Sequence, residues 1–541
     1  MLLFRILKIF PFLLYLLTFG SPAAFGAKSF TNFQGLIRCQ PVEVITPRTE
    51  IEVRDAVRSA MSRGLKVKAA RRGFSGSNQS SCVDDGGIQI DTSELKAIES
   101  VNRQDKLVTV APGITLWDLN QYLHRQHGLT LPGVQEYGDV SIGGMIGNST
   151  HGSTLAERSS TVHDRITSVR LVNGYGDIQT ITGTDLDFVG GNLGVLGILT
   201  SVTLRVEDTF KVQAVFDTHP DYDLEANVLE LALAGYSVSV TWFPAQKAYT
   251  ALRFHKVPND TPGEAYNGQM EVPWWKRKLF PFIFKIAQTI PGDRLSCYLE
   301  KQRFLMKSRG FMHDRFAHLA SDSKGYSVGW SHEMINFVCR DRCPLQNLPT
   351  SLEEVAIPLD KLPSFISRVR ELLRMSPTCL PLNGIYMRFG RASRGALSLA
   401  QGRDTVYVGI DFVEKHFGNG YEKNFEVVQE IEQIMLEEYD GRLHWGKNRD
   451  ANFIDVKQKF PRFDEFLEFR DRLDPHQIFT NKFFESIRSV GVNRSQDADC
   501  VARHACYCTE DRHCPRGYSC GYGWLSDEVR VCRKKSRRFR L

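Results

Sequence analysis

The sequence lacks the patterns by which nucleotide-binding and nucleic-acid-binding proteins are most often identified. The glycine-rich stretch between Gly138 and Ser153 contains neither the G-x-G-x-x-G of a Rossmann turn nor the G-x-x-x-x-G-K-[ST] of a phosphate loop. The net charge of +6 comes from six cations after residue 532, so the rest of the chain sums to zero. The charge therefore gives no argument for nucleic acid, and we predict a solvated basic tail.

The chain also lacks an apolar run long enough to serve as a membrane anchor. Two basic residues fall within residues 1–8, an apolar run covers residues 9–19, and small residues continue to Gly26. This order is typical of a secretory signal peptide, and we predict cleavage after Gly26. A retained anchor is disfavoured because a bilayer span needs about 20 apolar residues. We therefore expect a secreted protein.

Cysteine is abundant, and its distribution favours an oxidising compartment. Half of the 12 cysteines lie in the last segment, which is too short to bury a stable core unaided. We predict three disulfides there, with their pairing left open. A zinc site is the less favoured alternative because the spacing is uneven. The six are Cys500, Cys506, Cys508, Cys514, Cys520 and Cys532; the other six, which permit full pairing, are Cys39, Cys82, Cys297, Cys339, Cys343 and Cys379.

Hydrophobic periodicity divides the remaining chain into two larger units. From residue 27 to 210, helices and strands alternate, with a helix capped by Thr49 and another between Thr115 and Gly128. From residue 211 to 487, strands of period two stand between long amphipathic helices, which is typical of an α+β domain. Residues 274–284 mix aromatic and basic side chains, so they form either a membrane-surface segment or a helix packed between domains.

Four segments have compositions that suit ligand binding. The stretch from Gly138 to Ser153 has five glycines, and glycine lacks the Cβ that would hold a ligand away from the backbone. Without context, this stretch is equally consistent with a surface loop. The other three segments are R-R-G-F-S-G-S from Arg71, N-L-G-V-L-G-I from Asn192 and H-W-G-K-N-R from His444.

Together, these segments resemble the vanillyl-alcohol-oxidase type of flavoprotein, and within it the aldonolactone oxidoreductases. The order of signal peptide, glycine-rich domain, H-W-G-K-N-R and cysteine-rich module is similar to that of the plant-type L-gulonolactone oxidases. The resemblance implies an α+β protein with a two-subdomain FAD-binding domain of the PCMH type at residues 27–210. It further implies a substrate (cap) domain at residues 211–487, whose last part returns to the flavin domain, and a disulfide-rich module at residues 488–541.

The resemblance implies an extended FAD and no metal. Backbone amides of residues 73–77 and 143–147 would converge on the pyrophosphate as anion-binding nests. Residues 194–198 would follow the adenine end and residues 151–153 the isoalloxazine ring, although a hydrogen-bonded core histidine is an equal alternative for His151. The candidate cofactor-binding residues are Arg72, Gly73, Phe74, Ser75, Gly76, Ser77, Ser141, Ile142, Gly143, Gly144, Ile146, Gly147, Asn148, Thr150, His151, Gly152, Ser153, Gly194, Gly197 and Ile198.

One position departs from the family pattern. Members with covalent flavin have a histidine in an S-H-S-like triplet, and the counterpart here is Ser75-Gly76-Ser77. Glycine cannot form that bond, so we predict noncovalent FAD unless another side chain such as His151 reaches it. Covalent attachment raises the oxidising power of a flavin, so its absence bears on the rate with weak donors and not on the reaction type.

The candidate catalytic residues lie in two segments of the second unit. Oxidation of a secondary alcohol sends a hydride to the flavin and a proton to a base or to water, and a fixed cation stabilises the charge that develops. Lys447 and Arg388 are the candidates for that cation, with a surface ion pair as the alternative for Arg388. Tyr386 replaces an acidic residue of the family, so it would bind a sugar hydroxyl instead. His444 and Trp445 complete the motif, although Trp445 is equally compatible with an aromatic core.

We expect a secreted FAD enzyme that oxidises L-gulono-1,4-lactone, or a related aldono-1,4-lactone, at C2 to give ascorbate, with O2 reduced to H2O2. One alternative is a secreted oxidase of other sugars or oligosaccharides, because a fold does not determine its substrate. Another is a nonenzymatic carbohydrate-binding protein on a flavoprotein scaffold. Asn493 is the predicted glycosylation site, whereas the sequons at Asn78 and Asn148 lie in presumed flavin loops and are predicted to be unused.

Overall fold

The computed structural model describes residues 29–76, 79–84, 86–133, 135–158, 160–271, 279, 282–283, 286, 294–314, 326–339, 350–379, 384–413, 423–489 and 497–535. The predicted signal peptide, Ser77, Cys343, and the sequons at Asn78 and Asn493 lie outside the described residues, as does most of the segment 274–284. Among the described residues, no helix combines the length and apolar character needed to cross a bilayer.

The first unit is a small parallel sheet covered by one helix. Thr49 caps helix α1 (Glu50–Ser62) as predicted, because its hydroxyl accepts the amide of Glu52 at 3.2 Å. Val53 and Val57 on the inner face of α1 are fully buried with the sheet residues. A short antiparallel pair precedes the sheet. The pair is β1 (Phe30–Thr31) with β2 (Arg38–Cys39), and the sheet order is β3 (Glu43–Ile45), β5 (Ile88–Asp91) and β4 (Val67–Ala70).

The second unit is a five-stranded antiparallel sheet. Helix α2 (Leu116–His127) is capped by Thr115 at its start and by Gly128 at its end, as predicted. Gly128 has the left-handed φ of 62° that glycine readily adopts. Ser141 caps the start of helix α3 (Ile142–Gly147). The sheet order is β10 (Ile178–Ile181), β9 (Ile166–Val172), β11 (Ile198–Arg205), β7 (Leu107–Val110) and β6 (Ile98–Asn102), while β8 (Leu129–Thr130) pairs with β12 (Glu207–Asp208).

The third unit is an eight-stranded antiparallel sheet with helices against it, in agreement with the predicted α+β domain. The sheet order is β18 (Tyr326–Trp330), β13 (Lys211–Pro220), β15 (Ala248–Val257), β14 (Ser237–Phe243), β20 (Ile385–Gly390), β21 (Thr405–Val413), β19 (Thr350–Pro358) and β22 (Arg442–Leu443), with a separate pair of β16 (Ala265–Asn267) and β17 (Met312–Asp314). The helices are α4 (Leu224–Leu233), α5 (Arg294–Ser308), α6 (Ser331–Met334), α7 (Leu362–Met375) and α8 (Phe425–Glu437).

After the eight-stranded sheet, the chain returns to the first two units. Helices α9 (Phe463–Leu473) and α10 (Lys482–Arg488) lie on either side of this return. The carbonyl of Leu473 accepts the amide of Gly174 at 2.8 Å, and the Asn481 amide group donates to the carbonyl of Cys82 at 2.9 Å. These hydrogen bonds hold the returning segment against the first two units.

The cysteine-rich module contains the three disulfides that the sequence predicts, and these use all six of its cysteines. They join Cys500 to Cys506, Cys508 to Cys520 and Cys514 to Cys532. A zinc site built from these thiols is therefore excluded. Elsewhere Cys39 pairs with Cys82 and Cys297 with Cys379, and Cys339 is also disulfide-bonded.

The module covers helix α8 and has its own hairpin, β23 (Tyr518–Tyr522) with β24 (Arg530–Lys534). Glu430 of α8 is fully buried, and its carboxylate accepts the amides of Trp524 at 2.8 Å and Leu525 at 2.7 Å. Gln433, one turn further, exchanges hydrogen bonds with the backbone of Arg530. The module therefore packs against the cap domain through these hydrogen bonds and through apolar side chains that share the core of α8.

The Glu430→Ala substitution should weaken this contact. It leaves two backbone amides without their acceptor, at a cost of about 2–4 kcal/mol in the free energy of unfolding. Urea denaturation of both proteins measures the difference. Glu437→Ala at the exposed C-terminal end of the same helix is the control and should change stability by less than about 0.5 kcal/mol. Equal stability of the two variants would contradict the contact described above.

Candidate active site

A cavity of about 450 Å³ lies where the two glycine-rich units meet the cap sheet, within the size range of small-molecule sites. One side is lined by the loop after β4, by α3 and by residues 192–194. The other side is lined by inward-facing residues of β14, β15, β19, β20 and β21, and by two cations of α5. The cavity is continuous from the glycine loops to the cap sheet.

The four sequence motifs meet at this cavity. The amide of Gly76 donates to the carbonyl of Gly446 at 2.8 Å, and the Ser75 hydroxyl lies 3.4 Å from the Asn148 side-chain oxygen. The amide of Leu193 donates to the carbonyl of Gly147 at 2.9 Å. Segments separated by up to about 370 residues are thus joined by short hydrogen bonds.

The glycine-lined side fits an extended dinucleotide. A Cβ built at Gly147 would come no closer than 4.0 Å to a neighbouring atom, and one built at Gly194 no closer than 3.7 Å, so side chains there would project into the cavity. The hydroxyls of Ser81 and Thr150 line the same cavity, and both are buried without a hydrogen-bond partner among the described residues. Such donors are suited to a polar ligand.

Glu354 of β19 is the centre of the cap side of the cavity. Its side chain is only 2% exposed, and it accepts hydrogen bonds from Arg388, from Lys447 Nζ at 3.0 Å and from His151 Nε2 at 2.8 Å. Burial raises the pKa of Glu354, but the charges of Arg388 and Lys447 outweigh burial and hold this pKa well below its usual range. The carboxylate is therefore ionised, and it fixes the two cations predicted from the sequence.

The register of the cap sheet explains why these side chains meet. Glu354 and Tyr386 are both paired with Gly409 on the strand between them, and Arg388 lies two residues beyond Tyr386 on the same face. Because Gly409 has no side chain, the Arg388 guanidinium can cross the middle strand to Glu354. Gly409 also lines the cavity, where a larger residue would reduce the space.

Two histidines border the carboxylate. The Nδ1 atom of His444 accepts the amide of Gly446 at 3.0 Å, so the neutral ring has its proton on Nε2, which lies 4.0 Å from Glu354. Burial lowers the pKa of His444 well below its usual value and also lowers the pKa of His151. His151, His444 and Glu354 could offer clustered metal ligands, but Arg388 and Lys447 already occupy this carboxylate.

Tyr386 is oriented by an acid from the glycine-rich side of the cavity. Its hydroxyl donates to Glu136 at 2.6 Å, and burial raises its pKa well above the usual value. The ammonium group of Lys307 lies 4.6 Å from the centre of the Tyr386 ring and donates to Thr241 at 2.9 Å. Burial and the nearby Arg303 lower the pKa of Lys307 to about 7. Because its own pKa is raised, Tyr386 is a neutral phenol.

Comparison with known families identifies the family of this chain. The profile of the D-arabinono-1,4-lactone oxidase family matches residues 202–487, which is more than half of the chain, and an FAD binding domain matches residues 41–182. The chain belongs to the D-arabinono-1,4-lactone oxidase family. It is an FAD-dependent oxidoreductase, and the cavity is the place where its residues fit FAD.

Several curated proteins are similar to this chain over most of its length. L-gulonolactone oxidase 3 of Arabidopsis thaliana is 27% identical over 92% of this chain and 90% of its own. L-gulono-1,4-lactone dehydrogenase of Mycobacterium tuberculosis is 27% identical over 84% of this chain and 97% of its own. Among solved structures, a solvent-stable cholesterol oxidase superposes with a TM-score of 0.68 at 18% identity, over 86% of this chain and 100% of its own, which shows the common fold.

Most of the predicted site residues line the cavity. The described residues that do so include four of the candidate catalytic residues and the greater part of the cofactor set. They are Arg72, Gly73, Phe74, Ser75, Ser141, Gly143, Gly144, Gly147, Asn148, Thr150, His151, Gly194, Gly197, Tyr386, Arg388, His444 and Lys447.

Several predicted residues lie behind the cavity wall instead. Trp445 takes the core position of its two alternatives: it is fully buried, stacks on Phe460 and donates to the carbonyl of Leu397 at 2.7 Å. Ile142, Ile146 and Ile198 are core residues because they fill the buried faces of α3 and β11.

The two residues after His151 are structural as well. Gly152 donates its amide to the carbonyl of Ser160 at 2.7 Å. The Ser153 hydroxyl bridges two cap strands, since it donates to the carbonyl of Val238 and accepts the amide of Phe389 at 3.0 Å. Ser153 therefore joins the two domains, and neither residue lines the cavity. Gly76 also lies behind the wall, and a Cβ there would meet Gln34 at 2.9 Å.

The sequence prediction missed Glu354, Glu136 and Lys307. Glu354 lies in strand β19, T-S-L-E-E-V-A-I-P, next to a second glutamate, so the sequence of the strand gives no signal that singles out Glu354. Glu136 and Lys307 lie in segments with no distinguishing pattern, so only the fold brings them to Tyr386.

The Glu354→Gln substitution should destabilise the protein in a pH-dependent manner. The folded-state pKa of Glu354 is lowered, so its stabilisation is present above the unfolded pKa of about 4 and is lost as the pH falls through the folded value. We expect the variant to lose about 3–5 kcal/mol at pH 7, because the buried Arg388 and the half-buried Lys447 lose their counter-charge. The difference should shrink below about pH 4.

Chemical denaturation at several pH values measures this dependence. The matched control is Glu438→Gln, which removes a partly exposed carboxylate that pairs with Arg368 and should cost less than about 1 kcal/mol. If Glu354→Gln were as stable as Glu438→Gln at pH 7, the role of Glu354 as the counter-charge of Arg388 and Lys447 would be contradicted.

Proposed function

We propose that this protein oxidises an aldono-1,4-lactone, with L-gulono-1,4-lactone as the first candidate, at C2, and that O2 is reduced to H2O2. The observation that carries the proposal is the pair of cations, Arg388 and Lys447, that one ionised carboxylate holds at the cavity wall. The names of the curated relatives, which include L-gulonolactone oxidases, support the substrate class.

The lining of the cap side supports a polyhydroxylated substrate. Ser237, Ser239 and Thr241 alternate along β14, and Thr250 lies opposite Thr241 on β15. Because alternate residues of a strand share a face, these hydroxyls form a polar row beside Tyr386 and Arg388. Each hydroxyl both donates and accepts, which matches the hydroxyl groups of a sugar lactone.

In this proposal, the C2–H bond breaks with both of its electrons, the C2 hydroxyl loses its proton and a C2 ketone forms. FAD, when bound, supplies the hydride acceptor. Reduction of O2 to H2O2 consumes the two electrons and two protons. The 2-keto lactone tautomerises to its enediol, which is ascorbate when the substrate is L-gulono-1,4-lactone.

We assign Arg388 and Lys447 to the stabilisation of negative charge in the transition state. Glu354 keeps both cations in place before substrate binds, which avoids reorganisation during the reaction. Its own depressed pKa makes it a weak proton acceptor, and the lone pair of neutral His444 is already used by Gly446. The substrate proton therefore passes to water in this proposal, and Tyr386 binds a substrate hydroxyl.

We further propose that FAD is held noncovalently and that the protein is secreted. Gly76 has no side chain to form a bond, and both ring nitrogens of His151 face protein oxygens, with Nδ1 2.9 Å from the carbonyl of Gly152 and Nε2 2.8 Å from Glu354. The five described disulfide pairs favour an oxidising compartment. The predicted signal peptide supports the same compartment.

Peroxide release with L-gulono-, L-galactono- and D-arabinono-1,4-lactone tests the substrate class and the acceptor together. We expect turnover with at least one lactone, and substitution of an artificial electron acceptor for O2 distinguishes an oxidase from a dehydrogenase. Lys447→Ala should reduce kcat by at least about 100-fold, the loss typical of one transition-state donor, while the flavin absorbance is retained. Lys106→Ala, a surface ion-pair partner, is the control.

Absence of turnover with every lactone and both acceptors would refute the proposed reaction. Full activity of Lys447→Ala would remove that residue from the mechanism and leave the reaction standing.

Acid precipitation tests the mode of flavin attachment. With no covalent bond, the yellow colour should pass entirely into the supernatant, and absorbance near 450 nm is the ordinary measure of flavin. Colour that stays with the pellet would contradict noncovalent binding, and mass spectrometry of the labelled peptide would then identify the residue.

A further inference from the structure

Lys68 is a buried cation whose role the proposed reaction does not explain. It lies on β4 and is only 2% exposed, yet it lines the cavity on the side opposite the cap sheet. Its ammonium group donates to the carbonyl of Leu193, in the loop that carries Gly194. A lysine that reaches water with its charged end would not be so completely enclosed.

Within the described part of the chain, no carboxylate forms an ion pair with Lys68. Burial lowers its pKa to about 7, and Asp84 acts on it only as a more distant charge. Burial of an unpaired ammonium is unfavourable, so a protein that retains one usually provides a counter-ion for it. Among the described residues, the acceptor for the Lys68 ammonium group is one backbone carbonyl, that of Leu193.

The space beside Lys68 is suited to an anion. The Cβ position of Gly194 lies 3.7 Å from Lys68 Nζ, and Gly194 adopts a left-handed φ of 68°. Its neighbour Leu193 has a positive φ of 52°, which is unusual for a leucine. Leu193 and Gly194 of one glycine-rich segment therefore meet β4 at one ammonium group. Ser81 and Thr150 line the same cavity with hydroxyls that have no hydrogen-bond partner among the described residues.

We propose that Lys68 is a cofactor-binding residue that supplies the counter-charge for the diphosphate of FAD. The sequence contains no phosphate-loop lysine, and this buried lysine takes that electrostatic role from the end of a strand. Backbone amides still give the site its shape, whereas Lys68 gives it charge.

The proposal has a thermodynamic signature. A nearby dianion raises the pKa of Lys68 in the complex, so FAD binding takes up a proton at pH values above about 7, where part of the free protein has a neutral Lys68. FAD affinity should then fall as the pH rises, by up to about tenfold per pH unit until the pKa of the complex is reached.

The experiment uses full-length protein produced without flavin under riboflavin limitation, as wild type, Lys68→Met and Lys96→Met. Methionine keeps the length of the lysine side chain, and Lys96 is an exposed lysine of the same domain. FAD titration followed by quenching of flavin fluorescence gives Kd from pH 6.5 to 9. Calorimetry in two buffers with different ionisation enthalpies gives the number of protons taken up.

We expect Lys68→Met to raise Kd for FAD at pH 7 by at least about tenfold, to abolish proton uptake and to flatten the pH dependence, with Lys96→Met unchanged. Competition by ADP should weaken by a similar factor, whereas competition by adenosine should not change. Without FAD, Lys68→Met should unfold at the same temperature as wild type or at a higher one, because a buried charge has been removed.

Each other outcome overturns the proposal. Unchanged Kd, or no proton uptake by wild type, would show that Lys68 does not face the diphosphate. An equal loss of adenosine and ADP competition would place the contact at the base. Lower stability of the flavin-free variant would show a structural role. Lactone turnover enters none of these measurements, so the result is independent of the proposed reaction.

Discussion

The ionised carboxylate of Glu354 is the interaction on which the arrangement of the active site depends. Arg388 and Lys447 come from separate parts of the chain, and a cavity holding both without an anion would be destabilised by their repulsion and desolvation. With Glu354 between them, they become a fixed donor pair. His151 adds a third contact, which connects the glycine-rich unit to the cap sheet through the same carboxylate.

Strand β19 connects this site to the cysteine-rich module. Successive side chains of a strand point to opposite faces, so Glu354 faces the cavity and Glu353 faces away from it. Glu353 pairs with Arg449 at 3.1 Å, and Arg449 also contacts Glu432 of α8. Asn452 continues the network to the hydroxyl of Tyr507 at 2.8 Å, between two disulfide cysteines. The motif H-W-G-K-N-R therefore supplies one cation to the site and another to the module interface.

Local patterns predicted the parts of this protein that depend on local physics. Thr49, Thr115 and Gly128 were identifiable because caps and left-handed turns favour particular residue types. The convergence of the glycine loops followed from family resemblance. Glu354, Glu136 and Lys68 were not predictable in this way, since a buried charge is defined by partners distant in the chain. Trp445 shows that a motif can also predict too many site residues. It stands beside two site residues in the motif but fills the core, because neighbours on an irregular segment face different directions.

Helix α8 has an implication for the order in which the chain is assembled during synthesis. Every residue of its central three turns is buried, and residues 497–535 cover one side of it. These residues follow α8 in the chain, so the helix is synthesised before the module that covers it, and Glu430 and nearby apolar surface meet water in the interval. Because Glu432 of α8 contacts Arg449, which pairs with Glu353 on the active-site strand, formation of the module's disulfides is linked to the packing behind the flavin cavity.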